Sequence, residues 1–257
     1  MYSDKRMLVR VGWLVIALMT ATARAAWADG DSTSQIWANV TMTWHTSPRV
    51  SYALDLEPKV QISGPPGQPG WGSLDVTPSV DFVATKWADV VAEGVLSRTH
   101  QTDDLRTTEL AARGGVRFHL FSRQQRLLFN EQLPKRRMVV RDFVRWEWRH
   151  FSYSDDEPSS ASWRFRNRLE FQFPLNRPNL SADGTLSLLG DWEWFVPITD
   201  QHERFANKRR YRGGVGYRHN RAWGLSVLYI RTNSRNTIDD PFSTSENILD
   251  VQVKRAW

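Results

Sequence analysis

The chain contains no cysteine, which excludes a disulfide framework and any thiolate metal site. Downstream of its first thirty residues it has no apolar run approaching the roughly 18 residues a membrane-spanning helix requires, so a helical membrane protein is excluded. Sustained helical periodicity is also missing. Histidine is sparse: residues 45, 100, 119, 150, 202 and 219 are scattered, with no His-Glu-x-x-His zinc pattern. No Gly-x-Ser-x-Gly elbow occurs, and no cofactor fingerprint suggests a cofactor.

Tryptophan, in contrast, is abundant, with 13 in 257 residues. Interfacial aromatic belts of membrane proteins are one place where it accumulates. The most informative segment is Ser162–Phe173. Trp163, Phe165, Leu169, Phe171 and Phe173 fall on one face, and Arg164, Arg166, Arg168, Glu170 and Gln172 on the other. Successive side chains of a strand point to opposite sides of a sheet, so period two means a strand. One bulky aromatic face backed by nearly continuous charge is the pattern of a transmembrane β-strand, with lipid outside and a polar lumen inside. Asn167 is the one exception on the apolar face.

The first 28 residues read as a secretory signal. Lys5, Arg6 and Arg10 precede a short apolar core, Val11 to Ala23, and the small-x-small sites Ala23-Arg24-Ala25 and Ala26-Trp27-Ala28 follow. Cleavage is expected after Ala28; a retained N-terminal anchor is the alternative. Lys5, Arg6, Arg10 and Arg24 against Asp4 account for three of the six net positive charges. The basic character thus resides partly in the export signal, which weakens a nucleic-acid reading. Segregation of Trp and Arg to opposite strand faces argues against nucleic acid as a partner too, since stacking readers need both on one surface.

Period-two segments continue through 29–257, read as one barrel domain. Candidate strands are 35–45, 49–57, 75–84, 88–98, 108–120, 137–150, 162–173, 185–195, 208–218, 223–231 and 247–257. Bacterial barrels normally have an even number of strands, so a twelfth is expected at Arg126–Leu133. The fold class is all-β: a single antiparallel transmembrane β-barrel of about 12 strands, within about 10–14, with both termini on the periplasmic side. The final strand places Leu249, Val251, Val253 and Trp257 on one face. Val251, Val253 and Trp257 resemble the terminal signal by which the barrel assembly machinery, an expected partner, recognises its substrates. Arg255 is the dissenting residue on that face and should lie near an interface.

The inward face carries the candidate functional residues: Arg113, Arg117, Arg145, Glu147, Arg149, Arg164, Arg166, Arg168, Glu170, Asp191, Glu193, Arg210, Arg212 and Arg218. Two readings remain open. Arginine and carboxylate can pair across strands and fill the lumen. The surplus of arginine can instead line a narrow, anion-permeable pore whose permeants are small anionic solutes.

Arg145-Trp-Glu-Trp-Arg149, Arg164-x-Arg-x-Arg168, Glu193-Trp-Phe195, Arg204-Phe-Ala-Asn207 and Arg210-x-Arg-x-Gly-x-Gly-Tyr217 follow one another in order. With Leu225–Tyr229 and the Asn236–Asn247 loop, they resemble a family of secreted bacterial proteins known as domain of unknown function 2490 (DUF2490). The resemblance covers Arg137 to Trp257. It implies an outer-membrane β-barrel in contact with membrane lipid and lipopolysaccharide, and it brings no catalytic residue.

An outer-membrane lipid hydrolase is the alternative class. His150 and Ser152 share a face with Trp146 and Trp148, but no third orienting residue is evident, so no catalytic residue is assigned. The acidic groups Asp103-Asp104, Asp155-Asp-Glu157 and Asp239-Asp240 lack fixed ligand spacing and read as solvated loop tips, so no metal site is expected. Gly64-Pro-Pro-Gly-Gln-Pro-Gly70 reads as a stiff surface loop.

Overall fold

The computed structural model describes residues 32–103, 105–120, 138–155, 157–199, 208–235 and 242–257. The alternating segments form β1 (Thr33–His45), β2 (Val50–Ser63), β3 (Trp71–Val83), β4 (Ala88–Gln101), β5 (Arg106–His119), β6 (Val139–Tyr153), β7 (Ser160–Pro174), β8 (Thr185–Pro197), β9 (Lys208–Arg218), β10 (Trp223–Ser234) and β11 (Ser243–Ala256). Each pairs with its sequence neighbours, and β1 pairs with β11 to close a barrel. No helix occurs among the described residues.

The all-β barrel agrees with the sequence reading, but its closure differs. Eleven strands are present among the described residues, not twelve, and the candidate at Arg126–Leu133 lies outside them. Ten pairs are antiparallel, whereas β1 and β11 run parallel, from Thr33↔Glu246 to Thr43↔Ala256. Parity requires this. Every hairpin reverses the chain, so the first and eleventh strands point the same way and can close the sheet only in parallel. The start of β1 and the end of β11 therefore sit at opposite rims, not on one side.

Two prolines explain why strand boundaries were hard to read. Pro58 lies inside β2, which extends past the expected end at Glu57. Proline has no N–H to donate, so it interrupts a ladder on one side only. Pro58 pairs with Leu74 of β3, while the β1–β2 register skips from Trp37↔Lys59 to Val40↔Leu56. Pro78 does the same in β3: it pairs with Leu54, and the β3–β4 register skips from Val76↔Leu96 to Ser79↔Glu93.

The outer wall carries the apolar face of each strand. Ile36, Val40 and Trp44 of β1, Leu74 and Phe82 of β3, Trp146 of β6, Trp163, Phe171 and Phe173 of β7 and Trp192 of β8 are all exposed. Asn167 is indeed on that wall, where its amide donates to Asp142 at 2.7 Å. Gly190 leaves room for the Phe171 ring, which lies across it from the neighbouring strand. At the β11 end, Trp257 stacks on Trp44 at 5.4 Å, and its backbone N–H donates to the Thr43 carbonyl at 3.0 Å. Arg255 lies over the rings of Trp223 and Trp257, at 4.8 and 4.5 Å. A cation held against two indoles is stabilised without a carboxylate, which accounts for its position on an apolar face.

Adjacent glycines in β9 offer a test of packing between strands. A Cβ on Gly214 would overlap the Val227 carbonyl oxygen of β10, whereas one on Gly213 meets nothing within 4 Å. Gly214→Ala should therefore destabilise the barrel by about 1–3 kcal/mol through overpacking. Gly213→Ala should stay within about 0.5 kcal/mol. Urea midpoints of the two variants, folded in the same detergent, check this.

Candidate functional site: the charged interior

Residues of opposite parity point inward, and long side chains reach past their nearest neighbours. Glu147 of β6 and Glu193 of β8 are fully buried and organise the centre. Glu147 accepts from Arg164 Nε at 2.6 Å and Arg166 Nη1 at 2.5 Å, with Arg113 Nε at 3.3 Å. Glu193 Oε1 accepts from Arg166 Nη2 at 2.6 Å and Arg145 Nη2 at 3.1 Å. Its other oxygen lies 3.6 Å from Arg210 and 3.7 Å from Arg212. Arg145 spans from Glu193 to Glu93 of β4 at 3.0 Å, bridging strands that do not touch in the sheet. Only side chains on the concave face can do this.

The remaining sequence candidates form further ion pairs around this cluster, to which Arg212 and Asp191 are joined directly. Arg149 pairs with Glu109 at 2.8 Å, Arg117 with Asp81 at 3.4 Å, and Arg212 with Asp191 at 2.7 Å. Arg168 and Arg141 both bind Glu170, at 2.5 and 2.9 Å. Arg218, at the end of β9, stands apart, with no ion pair among the described residues. Guanidinium groups stay charged when buried, and multiple hydrogen bonding of this kind offsets the cost of taking them out of water.

Aromatic platforms complete the interior. Phe143 lies beneath Arg145 at 4.5 Å and Arg117 at 4.8 Å, and Phe195 beneath Arg166 at 4.4 Å and Arg164 at 5.0 Å. Arg210 reaches from β9 to the Trp37 ring of β1 at 5.2 Å. Trp37 itself points inward and is buried, an exception to the separation of Trp from Arg.

Sequence reasoning missed much of the acid that balances these cations. Glu93 enters the central cluster, Asp81, Asp89 and Glu109 of β3–β5 pair with other interior arginines, and Lys59 pairs with Asp75 at 2.5 Å and Lys208 with Glu246 at 3.2 Å. His119 lies 2.9 Å from Asp89. The inward face of β4 alternates Asp89, Val91, Glu93 and Val95 opposite Val90, Ala92 and Leu96, so the strand reads as almost uniformly apolar. Counting charge by parity on those strands would have found the acids. The arginine surplus inferred from the C-terminal half is therefore largely met by carboxylates from the N-terminal half.

The hydrolase candidates behave differently. His150 stacks on Trp148 at 6.0 Å, and among the described residues no hydrogen bond joins it to Ser152. Among the acidic loop residues, Asp103 and Asp155 accept backbone N–H groups of their own turns, from Leu105 and Glu157. No group able to hold a metal ion occurs among the described residues.

Residues 34–242 match the model of a family described as protein of unknown function (DUF2490). The match takes in the N-terminal strands as well as most of the region that carries the motifs, and it stops just before β11. No curated protein matches the chain.

Proposed function

The chain belongs to the DUF2490 family, and from that premise we propose that it is an exported outer-membrane β-barrel whose lumen is closed at mid-height by the ion-pair network. The observation that carries this reading is inverted polarity in a closed barrel: fully buried Glu147 and Glu193 inside, exposed Trp146, Trp163 and Trp192 outside. An apolar surface that encircles a protein is a surface for membrane, not water. Strands of 11 to 15 residues, tilted about 45°, rise roughly 25–35 Å, enough for the outer-membrane apolar band.

Export would use residues 1–28 as a cleaved signal. Val251 and Val253 on the outer wall, with Trp257 locked against Trp44, would serve as the terminal signal for the assembly machinery.

The anion-permeable pore is the second reading, and one observation favours it. Arg145 Nε, Arg168 Nε and Arg210 Nε are buried without a hydrogen-bond acceptor in the structure, so the interior keeps donors that a permeating anion could engage. Membrane residence is common to both readings and is tested by flotation. Protein refolded with phospholipid vesicles should rise with them in a density gradient. Recovery of folded protein in the aqueous fraction without detergent would overturn the proposal.

A further inference from the structure

The outer wall between β3 and β4 is not uniformly apolar. A groove of about 700 Å³ runs there, floored by Leu74, Val76 and Leu96 and bordered by Arg98, His100 and Arg106. The register builds this division. His100 sits opposite Gly72 on one side and Arg106 on the other, and Arg98 sits opposite Leu74. The three basic side chains therefore cluster at the rim nearest the 102–105 turn, and the apolar residues continue the groove toward the middle of the barrel. Because Gly72 has no side chain, the space in front of His100 stays open.

Arg98 and Arg106, with His100 between them, differ from the charged side chains of the interior. Arg98, His100 and Arg106 are exposed, and among the described residues none makes an ion pair. The one acid in the adjoining turn that is described, Asp103, is bonded to the backbone N–H of Leu105. Leu74 and Leu96 are each 47% exposed, leaving apolar surface immediately beside the Arg98 and Arg106 guanidinium groups.

We infer that this groove binds an anionic membrane lipid, with its phosphate against Arg98, His100 and Arg106 and its acyl chains along Leu74, Val76 and Leu96. Basic groups at an interface attract phosphate headgroups, and an adjoining apolar floor adds an attraction that a free anion does not use. The inference rests on the membrane reading given above, and it adds a defined lipid site to it.

Native mass spectrometry of the full chain in detergent tests the site, with dimyristoylphosphatidylglycerol and dimyristoylphosphatidylcholine supplied in equal amounts. The wild type should retain the anionic lipid over the zwitterionic one by about tenfold or more. The combined Arg98→Gln, His100→Gln and Arg106→Gln variant should lose that preference. Gly72→Leu keeps every charge and fills the groove; its Cβ meets only the Lys59 carbonyl oxygen, at an ordinary 3.6 Å. It should reduce retention of both lipids. Inorganic phosphate should not displace the bound lipid. An unchanged preference in the triple variant, or full displacement by phosphate, would overturn the site. Flotation of the same preparations separates the two claims: barrels that float but show no preference overturn the groove alone, whereas barrels that fail to float overturn the membrane reading and the groove together.

Discussion

Glu193→Gln is expected to destabilise the barrel by about 3–5 kcal/mol, the scale for removing one partner from a buried charge network. The substitution keeps size and shape, so the loss isolates charge from packing. Glu193 is fully buried and lies within 4 Å of Arg145, Arg166, Arg210 and Arg212. A neutral amide offers one acceptor oxygen where the carboxylate offers two, and its NH2 group faces guanidinium donors that it cannot satisfy. The penalty is thus an excess of buried cation: Arg145, Arg166 and Arg212 keep Glu93, Glu147 and Asp191, whereas Arg210 loses its one ion pair among the described residues. Glu170→Gln, which concerns Arg168 and Arg141 nearer the rim, should cost less, because Arg141 remains 36% exposed and can turn to water. Equilibrium unfolding in urea, with both variants folded in the same lipid or detergent, gives the comparison. Equal and small losses would mean that the network contributes no stability.

The second large effect concerns permeability. Replacing Arg145, Glu147, Arg166 and Glu193 together by serine removes two cations and two anions, so net charge is unchanged while the centre loses its bulk. Arg145 and Arg166 bridge the two central carboxylates to each other and to Glu93, so the four side chains form one buried, cross-linked cluster in the barrel interior. Their removal should convert a closed lumen into an aqueous path, seen as steady current steps in a planar bilayer. Retained β circular dichroism and vesicle flotation would establish that the variant is folded and inserted. A folded, inserted and silent variant would place the barrier elsewhere in the barrel.

How legible each part was in the sequence depended on how strongly its two faces differ. β7 was readable almost residue by residue because Trp163, Phe165 and Phe171 oppose Arg164, Arg166 and Arg168. Even its exception, Asn167, has a physical explanation in Asp142, a second polar residue on the outer wall. β4 was not readable in the same way. Valines on both faces hide Asp89 and Glu93, whose role appears only when β5 and β6 bring Arg117, His119 and Arg145 to them. Trp37 was hidden by a similar ambiguity, since its indole serves an inward Lys59 and Arg210 instead of the outer wall. The parallel β1–β11 seam is a property of strand parity, and no local pattern in either strand encodes it. Family motifs in the C-terminal half mark the arginine-rich wall, so they pointed toward a cation surplus that the N-terminal acids then largely neutralise.

The central claim, a membrane-spanning barrel closed by its own ion pairs, is tested most directly by the conductance of the wild-type protein in a planar lipid bilayer. Folded, inserted wild type should show no steady current steps at moderate voltage in either salt gradient direction. Reproducible anion-selective steps from the wild type would contradict closure and establish the arginine-lined pore in its place.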